Sequence, residues 1–223
     1  MKAVSLLSGG KDSFLSLNIA RMIGMDIVAT ITVIPEEDSY MFHYPNASIG
    51  SVVSKCLGLR NIVCGEDEFE SIVGSFSGHF LVAGAIRSDY QKSKLEEMSF
   101  RHGLIPFFPL WRKDEEKIID EFLSSGSTAI FVSVAAEGLD EKLLGQKIGE
   151  ETIRTLKLAR ERHGVSLVGE GGEYETLVTC SPLEDCCISI KSASIVERGL
   201  QKNLMIEDFS VGPSENGKLL KDP

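Results

Sequence analysis

A short polar turn near the start of the chain carries the strongest chemical signal. It lies between an apolar segment, residues 2–7, and a stretch with helical periodicity, and it reads Ser8-Gly9-Gly10-Lys11-Asp12-Ser13. Two glycines let a ligand approach the backbone, and the first turn of a helix offers unpaired N–H groups to an anion. Lys11 adds a positive charge, and the serines add hydroxyl donors. The pattern predicts a phosphate-binding turn that differs from the Walker A spacing G-x-x-x-x-G-K-[ST].

A second polar segment follows the fourth predicted strand and reads Gly84-Ala85-Ile86-Arg87-Ser88-Asp89-Tyr90-Gln91-Lys92. Open α/β sheets bind ligands where a strand ends and a helix begins, so this segment is a candidate binding site. Gly84 permits close approach, Ser88 and Asp89 can form hydrogen bonds, and Arg87 and Lys92 can neutralise phosphate. The simpler interpretation is a helix start capped by Ser88 or Asp89, and the two roles are compatible.

A third segment combines glycines with acids and reads Gly169-Glu170-Gly171-Gly172-Glu173-Tyr174-Glu175-Thr176. Three carboxylates this close repel one another, which favours a bound cation, and we expect a flexible turn. A solvated acidic loop without a ligand is the alternative interpretation.

The elements that position these segments alternate between strands and helices. Strands are predicted at residues 2–7, 26–34, 61–64, 79–83, 127–135 and 165–168, and helices at about 47–57, 67–76, 90–102, 114–123 and 150–163. The helix after the first turn places Leu15, Ile19, Met22 and Ile23 on one face. This alternation predicts right-handed βαβ units and a parallel sheet.

The last part of the chain loses helical periodicity. Residues 187–190 and 193–196 are predicted to pair as strands, and residues 214–223 to form a frayed tail. Pro106 and Pro109 interrupt the pattern further upstream. We therefore expect a nucleotide-binding domain at residues 1–105 and a substrate-recognition domain at residues 106–223.

Composition narrows the class of protein. With 23 basic and 33 acidic residues among 223, the formal charge is −10, which disfavours non-specific binding to nucleic acid. No apolar run approaches the roughly 20 residues of a membrane-spanning helix. The first residues lack a signal-peptide pattern, which predicts a cytoplasmic protein. The five cysteines contain no C-x-x-C pair, so we expect reduced thiols, mostly in the core.

The first turn resembles the PP-loop of the ATP pyrophosphatases, which split ATP into AMP and pyrophosphate. From residue 1 to about residue 200, the chain resembles the diphthine–ammonia ligase family in its short form. Beside the three segments above, the resemblance rests on Met41-Phe42-His43-Tyr44-Pro45-Asn46, Pro109-Leu110-Trp111, Glu137-Gly138-Leu139-Asp140 and Leu144-Gly145. It implies an α/β fold like that of the adenine nucleotide alpha hydrolases: a parallel sheet with flanking helices and a smaller C-terminal α/β lobe.

The resemblance also implies an activity. The family amidates the carboxyl group of diphthine, a modified histidine of translation elongation factor 2, through an acyl-adenylate and with ATP. Free ammonium is the expected nitrogen source, because the sequence shows no glutaminase half.

Site residues follow from the same resemblance. Lys11, Asp12 and Ser13 are the expected catalytic residues, and Asp12 is the expected ligand of Mg²⁺. ATP is expected on Ser8, Gly9, Gly10, Lys11, Asp12, Ser13, Gly84 and Ser88. The expected substrate residues are Arg87, Asp89, Tyr90, Lys92, His43, Glu170, Glu173, Tyr174 and Glu175. Diphthine carries a trimethylammonium group, which suits the carboxylates and aromatic ring of the third segment, although one of those acids could hold magnesium instead.

Two other functions stay open at this point. An RNA-modifying PP-loop enzyme of the thiolation type would use Cys180, but the charge of −10 counts against an RNA substrate. A non-enzymatic nucleotide-binding module would have no use for Lys11, Asp12 and Ser13 beside an acidic turn. The sequence departs from the family at Cys180-Ser181-Pro182, where an acidic residue is common before the proline. It also leaves the oligomeric state open, a homodimer included.

Overall fold

The computed structural model describes residues 1–34, 47–182 and 186–213. The chain divides into two compact units, Met1–Lys113 and Asp114–Pro223. Residues 106–113, which the sequence analysis assigns to the second domain, lie in the first unit because a fifth strand there joins the first sheet.

The first unit is a five-stranded parallel sheet with helices between the strands. Its strand order is β3-β2-β1-β4-β5, so the direction in which successive strands are added reverses between β1 and β4. Such a reversal is where open α/β sheets bind ligands. The strands are β1 (Lys2–Leu6), β2 (Asp26–Val33), β3 (Asn61–Cys64), β4 (Phe80–Val82) and β5 (Ile105–Phe107), and the helices are α1 (Lys11–Met22), α2 (Ala47–Cys56), α3 (Glu66–Gly74) and α4 (Asp89–His102).

The buried residues of helix α1 differ from the apolar face predicted from the sequence. Leu15 is buried as predicted, but Met22 and Ile23 are 84% and 51% exposed, so the predicted apolar face is wrong at its C-terminal end. Phe14, Leu17 and Ala20 are fully buried instead, together with the polar Ser16. Because α1 is buried around most of its circumference, the spacing of its apolar residues does not mark a single face.

The second unit contains a closed antiparallel barrel of four strands in the order β6-β7-β8-β9. Its helices precede or interrupt the barrel in sequence. The elements are α5 (Glu115–Ser124), β6 (Thr128–Val134), a short 3₁₀ helix (Glu141–Leu143), α6 (Glu150–His163), β7 (Tyr174–Ser181), β8 (Cys186–Arg198) and β9 (Gln201–Gly212).

Two predictions in this unit are wrong. Residues 165–168 are not a strand: Val165, Leu167 and Val168 are buried, but their segment forms turns and irregular backbone. The predicted strands 187–190 and 193–196 do not pair with each other, because both lie in β8 and face β9. Gly199, with a φ of 63°, begins the two-residue connection between β8 and β9, as a tight hairpin turn requires.

The cysteines also differ from expectation. Cys180 and Cys187 lie opposite each other in the β7–β8 pair and are joined by a disulfide. Cys64 is a free, buried thiol, and burial raises its pKa, with Glu68 and Asp67 adding to the effect. Helices of the described ranges are all too short or too polar to cross a membrane.

Candidate functional site

The predicted phosphate turn connects β1, the central strand of the sheet, to α1. Gly9 has a φ of 91°, which a residue with a side chain rarely adopts. The Ser8 hydroxyl lies 3.1 Å from the Ser13 hydroxyl and accepts from the Gly10 N–H at 3.3 Å. The Ser13 hydroxyl also donates to the Gly10 carbonyl at 3.0 Å. These bonds close the turn on itself and leave it at the start of a helix, where anions bind.

Two glycines from other elements lie directly against this turn. A Cβ atom on Gly84, which follows β4, would lie 2.8 Å from the Asp12 carbonyl carbon and 2.8 Å from the Ser13 nitrogen. A Cβ atom on Gly50, inside α2, would lie 2.7 Å from the Ser8 carbonyl oxygen. The contact of Gly84 brings together two segments that the sequence identified as candidate binding sites. The contact of Gly50 was not predicted, although glycine inside a helix is destabilising and its presence there can indicate close packing.

Lys11 and Asp12 form an ion pair within the turn. The Lys11 ammonium donates to Asp12 Oδ2 at 2.9 Å, and Lys11 is only 2% exposed. Asp12 Oδ1 is buried and, among the described residues, lacks a hydrogen-bond partner. A buried carboxylate oxygen without a partner is costly, and a hard cation such as Mg²⁺ would satisfy it. Asp12 therefore fits the predicted metal site, although the described residues bring together no group of three acids, histidines or cysteines that would hold a metal by themselves.

The segment after β4 begins helix α4. Ser88 is the N-cap, and its hydroxyl accepts from the Gln91 N–H at 3.3 Å, so the capping role is observed. Asp89 is exposed and lies 3.7 Å from the Arg112 guanidinium. Arg87 and Tyr90 are also exposed at this helix start. Four of the predicted substrate and nucleotide residues are thus grouped at one helix N-terminus.

Two cations lie close to the indole ring of Trp111. The Lys92 ammonium is 5.2 Å from the indole centroid, and the Arg112 guanidinium is 5.6 Å away. Lys92 also bonds Glu96 one turn further along α4. Arg112 has a φ of 54°, unusual for a residue with a side chain, and its N–H donates to the Ile86 carbonyl at 2.8 Å. This bond ties the 108–113 segment to the segment after β4.

The acidic turn of the second unit, residues 169–173, is held in shape by the carboxylate of Glu173. Its carboxylate accepts from the Ser166 N–H at 3.0 Å and from the Gly171 N–H at 2.7 Å. The Glu173 carbonyl accepts from the Ala135 N–H at 2.8 Å, at the end of β6. The expected loose turn is therefore a closed one, and the charge of Glu173 is directed at backbone N–H groups.

Tyr174 is buried at the first position of β7, with 2% of its surface exposed. Its ring packs against Phe131 with centroids 5.0 Å apart, and its hydroxyl donates to the Leu167 carbonyl at 2.5 Å. Glu170, within the turn, and Glu175, in β7 just after it, are half-buried. In this structure the ring of Tyr174 supports the turn from inside.

Glu115, a buried acid at the first position of α5, is not among the residues predicted from the sequence. Its carboxylate accepts from the Leu167 N–H at 2.9 Å and lies 3.7 Å from the Arg160 guanidinium. The next residue in sequence, Glu116, is exposed, and nothing in the residue order distinguishes the two.

Of the other predicted residues, His43 lies outside the described ranges.

A glycine-rich turn after the central strand of a parallel sheet, at the point where strand order reverses, defines a nucleotide-binding α/β protein of the PP-loop type. Family comparison makes this class specific. Residues 1–106 match the diphthamide synthase N-terminal domain, and residues 114–208 match the diphthamide synthase C-terminal domain. The chain belongs to the diphthamide synthase family.

Curated relatives agree with that family. The chain is 33% identical over 214 residues to a diphthine–ammonia ligase of Danio rerio, covering 82% of this chain and 84% of that protein. It is 32% identical over 237 residues to the Bos taurus enzyme of the same name, covering 88% and 85%. The Schizosaccharomyces pombe enzyme is 32% identical over 226 residues, but this chain covers 37% of its length.

A solved structure described as a predicted subunit of tRNA methyltransferase from Methanocaldococcus jannaschii is also similar. It aligns with a TM-score of 0.46 and 19% identity, covering 82% of this chain and 98% of that chain.

Proposed function

We propose that this chain is an ATP-dependent diphthine–ammonia ligase, which amidates the carboxyl group of diphthine on translation elongation factor 2. The observation that carries the proposal is the contact of Gly84 with the backbone of Asp12 and Ser13. It brings the two nucleotide-type segments of a diphthamide synthase N-terminal domain to one edge of the sheet. The ligase names of the curated relatives supply the reaction.

The reaction proceeds in two steps. A carboxylate oxygen of diphthine attacks the α-phosphorus of ATP, the bond to pyrophosphate breaks, and an acyl-adenylate forms. Ammonium loses a proton, the resulting ammonia attacks the acyl carbon, and the bond to AMP breaks. A second proton leaves as the amide forms. None of these steps needs a nucleophilic side chain, so catalysis rests on positioning and on stabilisation of phosphate charge.

The first unit is assigned to the nucleotide. The backbone of residues 8–13 and the space beside Gly84 and Ser88 receive the phosphates, and Lys11 and Ser13 stabilise charge on the departing pyrophosphate. Asp12 would hold Mg²⁺ through its unpartnered Oδ1 atom, and the ion would mask part of the pyrophosphate charge. The remaining residues at the start of α4, Arg87, Asp89, Tyr90 and Lys92, are assigned to the acceptor, as is His43.

The second unit is assigned to the acceptor. Glu170 and Glu175 provide negative potential for the trimethylammonium group, which offers no N–H donor and is bound through charge. Glu173 and Tyr174 support these acids through the turn that they hold. A cytoplasmic location follows from the proposed substrate, since translation factors act there.

The test is an assay of pyrophosphate release with purified full-length protein. We expect release to require ATP, ammonium and elongation factor 2 that carries diphthine, and the factor to change mass as an acid becomes an amide. The matched control is the same factor without the diphthine modification, which should give background release. Release that depends on RNA and not on the factor would instead support an RNA-modifying enzyme.

A further inference from the structure

Both backbone groups of Leu167 form hydrogen bonds with buried side chains of other elements, Glu115 of α5 and Tyr174 of β7. Its N–H donates to Glu115 Oε2 at 2.9 Å, and its carbonyl accepts from the Tyr174 hydroxyl at 2.5 Å. Glu115, Tyr174 and Leu167 are 5%, 2% and 2% exposed. We refer to these three residues as the Leu167 clamp.

A buried carboxylate is a costly way to hold a loop. Removing a charge from water costs several kcal/mol, and apolar side chains of similar volume often give equal or greater stability. Here the cost is reduced by the N-terminus of α5, by the Leu167 N–H and by the Arg160 guanidinium at 3.7 Å. The arrangement is therefore better explained by a need for a fixed backbone position than by a need for stability.

The backbone that the clamp fixes is the entry to the acidic turn. Ser166, just before Leu167, accepts with its hydroxyl from the N–H groups of Val168 and Glu170 at 3.3 and 3.4 Å. The Glu173 carboxylate then ties the N–H groups of Ser166 and Gly171 together. Any movement of Leu167 would consequently be passed to the backbone of Glu170.

We propose that Glu115 and Tyr174 are positioning residues that hold the acidic turn, and Glu170 within it, in the conformation that binds the cationic group of the acceptor. This inference rests on the proposed function, because it assigns the turn to the acceptor. It adds Glu115, a residue of α5, to the machinery of the reaction, and it gives Tyr174 a role through its hydroxyl.

The kinetic test compares Glu115→Ala and Tyr174→Phe with the wild-type chain. Glu115→Ala removes the acceptor of the Leu167 N–H, and Tyr174→Phe removes the hydroxyl that donates to the Leu167 carbonyl. Each change should raise the KM for the diphthine-bearing factor about tenfold or more, with the KM for ATP unchanged. Glu115→Gln should restore much of the loss, because its amide oxygen still accepts from the Leu167 N–H. The matched control is Glu116→Ala, which removes the neighbouring exposed acid and its 3.0 Å bond to Lys157.

Hydrogen exchange provides a readout that does not depend on activity. We expect residues 166–173 to exchange faster in Glu115→Ala and Tyr174→Phe than in wild type, while the β1–β4 sheet is unchanged. Tyr174→Phe keeps the ring against Phe131 and guards against a variant that fails to fold.

Unchanged exchange in both variants would overturn the clamp. A fall in kcat that follows the folded fraction, with both KM values constant, would reduce Glu115 and Tyr174 to structural residues. If wild-type protein fails to amidate diphthine, the proposed function and the acceptor role fail together, whereas the exchange result still decides whether the clamp fixes the turn.

Discussion

Gly84 lies against Asp12 so closely that a methyl group on it would be 2.8 Å from the Asp12 carbonyl carbon. The contact joins the segment after β4 to the start of α1, which follows β1. Strands β1 and β4 are neighbours, and the strand order of the sheet reverses between them. A nucleotide site at this edge depends on the absence of a side chain at position 84.

Replacing Gly84 with alanine should therefore impair the nucleotide site. The added methyl group meets backbone atoms of Asp12 and Ser13, which cannot rotate away, so the turn must shift. We expect the KM for ATP to rise at least ~10-fold, since misplacement by about 1 Å can cost ~100-fold in rate. Steady-state kinetics measures the effect. Gly212→Ala is the control, because a Cβ atom there has open space, and equal effects of the two substitutions would contradict the prediction.

Gly50→Ala should lower the free energy of unfolding, whereas replacing glycine by alanine in a helix ordinarily raises it. In an exposed helix the alanine variant is more stable by ~1 kcal/mol. In α2 the methyl group would lie 2.7 Å from the Ser8 carbonyl oxygen, and such crowding costs ~1–3 kcal/mol. Urea unfolding of the variant should show a lower free energy of unfolding. Ser93→Ala, at an exposed position of α4, serves as the control, and a stabilised Gly50→Ala chain would show that α2 is not packed against the turn.

Asp12→Asn tests the metal assignment. The amide keeps an oxygen that can accept from Lys11 but loses the charge that attracts a divalent cation. We expect pyrophosphate release to fall ~10–100-fold at saturating ATP and the Mg²⁺ concentration for half-maximal activity to rise. Titration with Mg²⁺ measures both values. Asp26→Asn, at the exposed start of β2, should leave the titration unchanged, and an unaltered Mg²⁺ requirement in Asp12→Asn would exclude Asp12 as the ligand.

Glu70 should make stability depend on acid pH. A hydrogen bond from His102 is the main cause that lowers the pKa of this carboxyl group, and Arg101 adds to it. A lowered pKa in the folded state means that the stabilisation is present above the pKa of the unfolded chain and is lost as pH falls through the folded value. Thermal unfolding between neutral and acid pH should therefore show a larger loss for wild type than for Glu70→Gln.

The control for Glu70 is Glu97→Gln, which removes a different acid, 3.4 Å from the same Arg101. Its unfolding temperature should follow the wild-type pH curve. Parallel curves for wild type and Glu70→Gln would show that the link between α3 and α4 contributes nothing that depends on this ionisation.

Local sequence patterns predicted most of the first sheet, because its strands are short apolar runs bounded by turn residues. Strand β3 and helix α6 agree with the structure at both ends. Strand β5 was missed because Pro106 indicates a break, yet proline is tolerated in an edge strand. Residues 165–168 have the apolar composition of a strand, but distant side chains satisfy their backbone, and local patterns do not contain that information.

In the candidate site, too, features set by neighbouring residues were predicted, and features set by contacts between distant residues were not. The closed turn between β1 and α1 and the Ser88 cap depend on neighbouring residues, and the sequence predicted a turn and a cap at these positions. Gly50 and Glu115 depend on contacts made after folding, and neither was identified. Tyr174 was recognised by type, but its burial against Phe131 follows from the unpredicted strand β7.

The closure of the barrel has a consequence for its motions. Strands β6 and β9 pair through Ser133 with Asn203 and Val134 with Lys202, whereas the β8–β9 hairpin pairs along nearly its whole length. Within the described ranges, strands β7 and β8 also pair through only two residue pairs, but the disulfide between Cys180 and Cys187 crosslinks them. Transient opening should therefore begin at the β6–β9 seam, while the hairpin persists as a cooperative unit. The N–H of Ala135, which follows this seam, donates to the carbonyl of Glu173, so each opening of the barrel would loosen the acidic turn. The rate of barrel opening would then limit the lifetime of any one conformation of that turn.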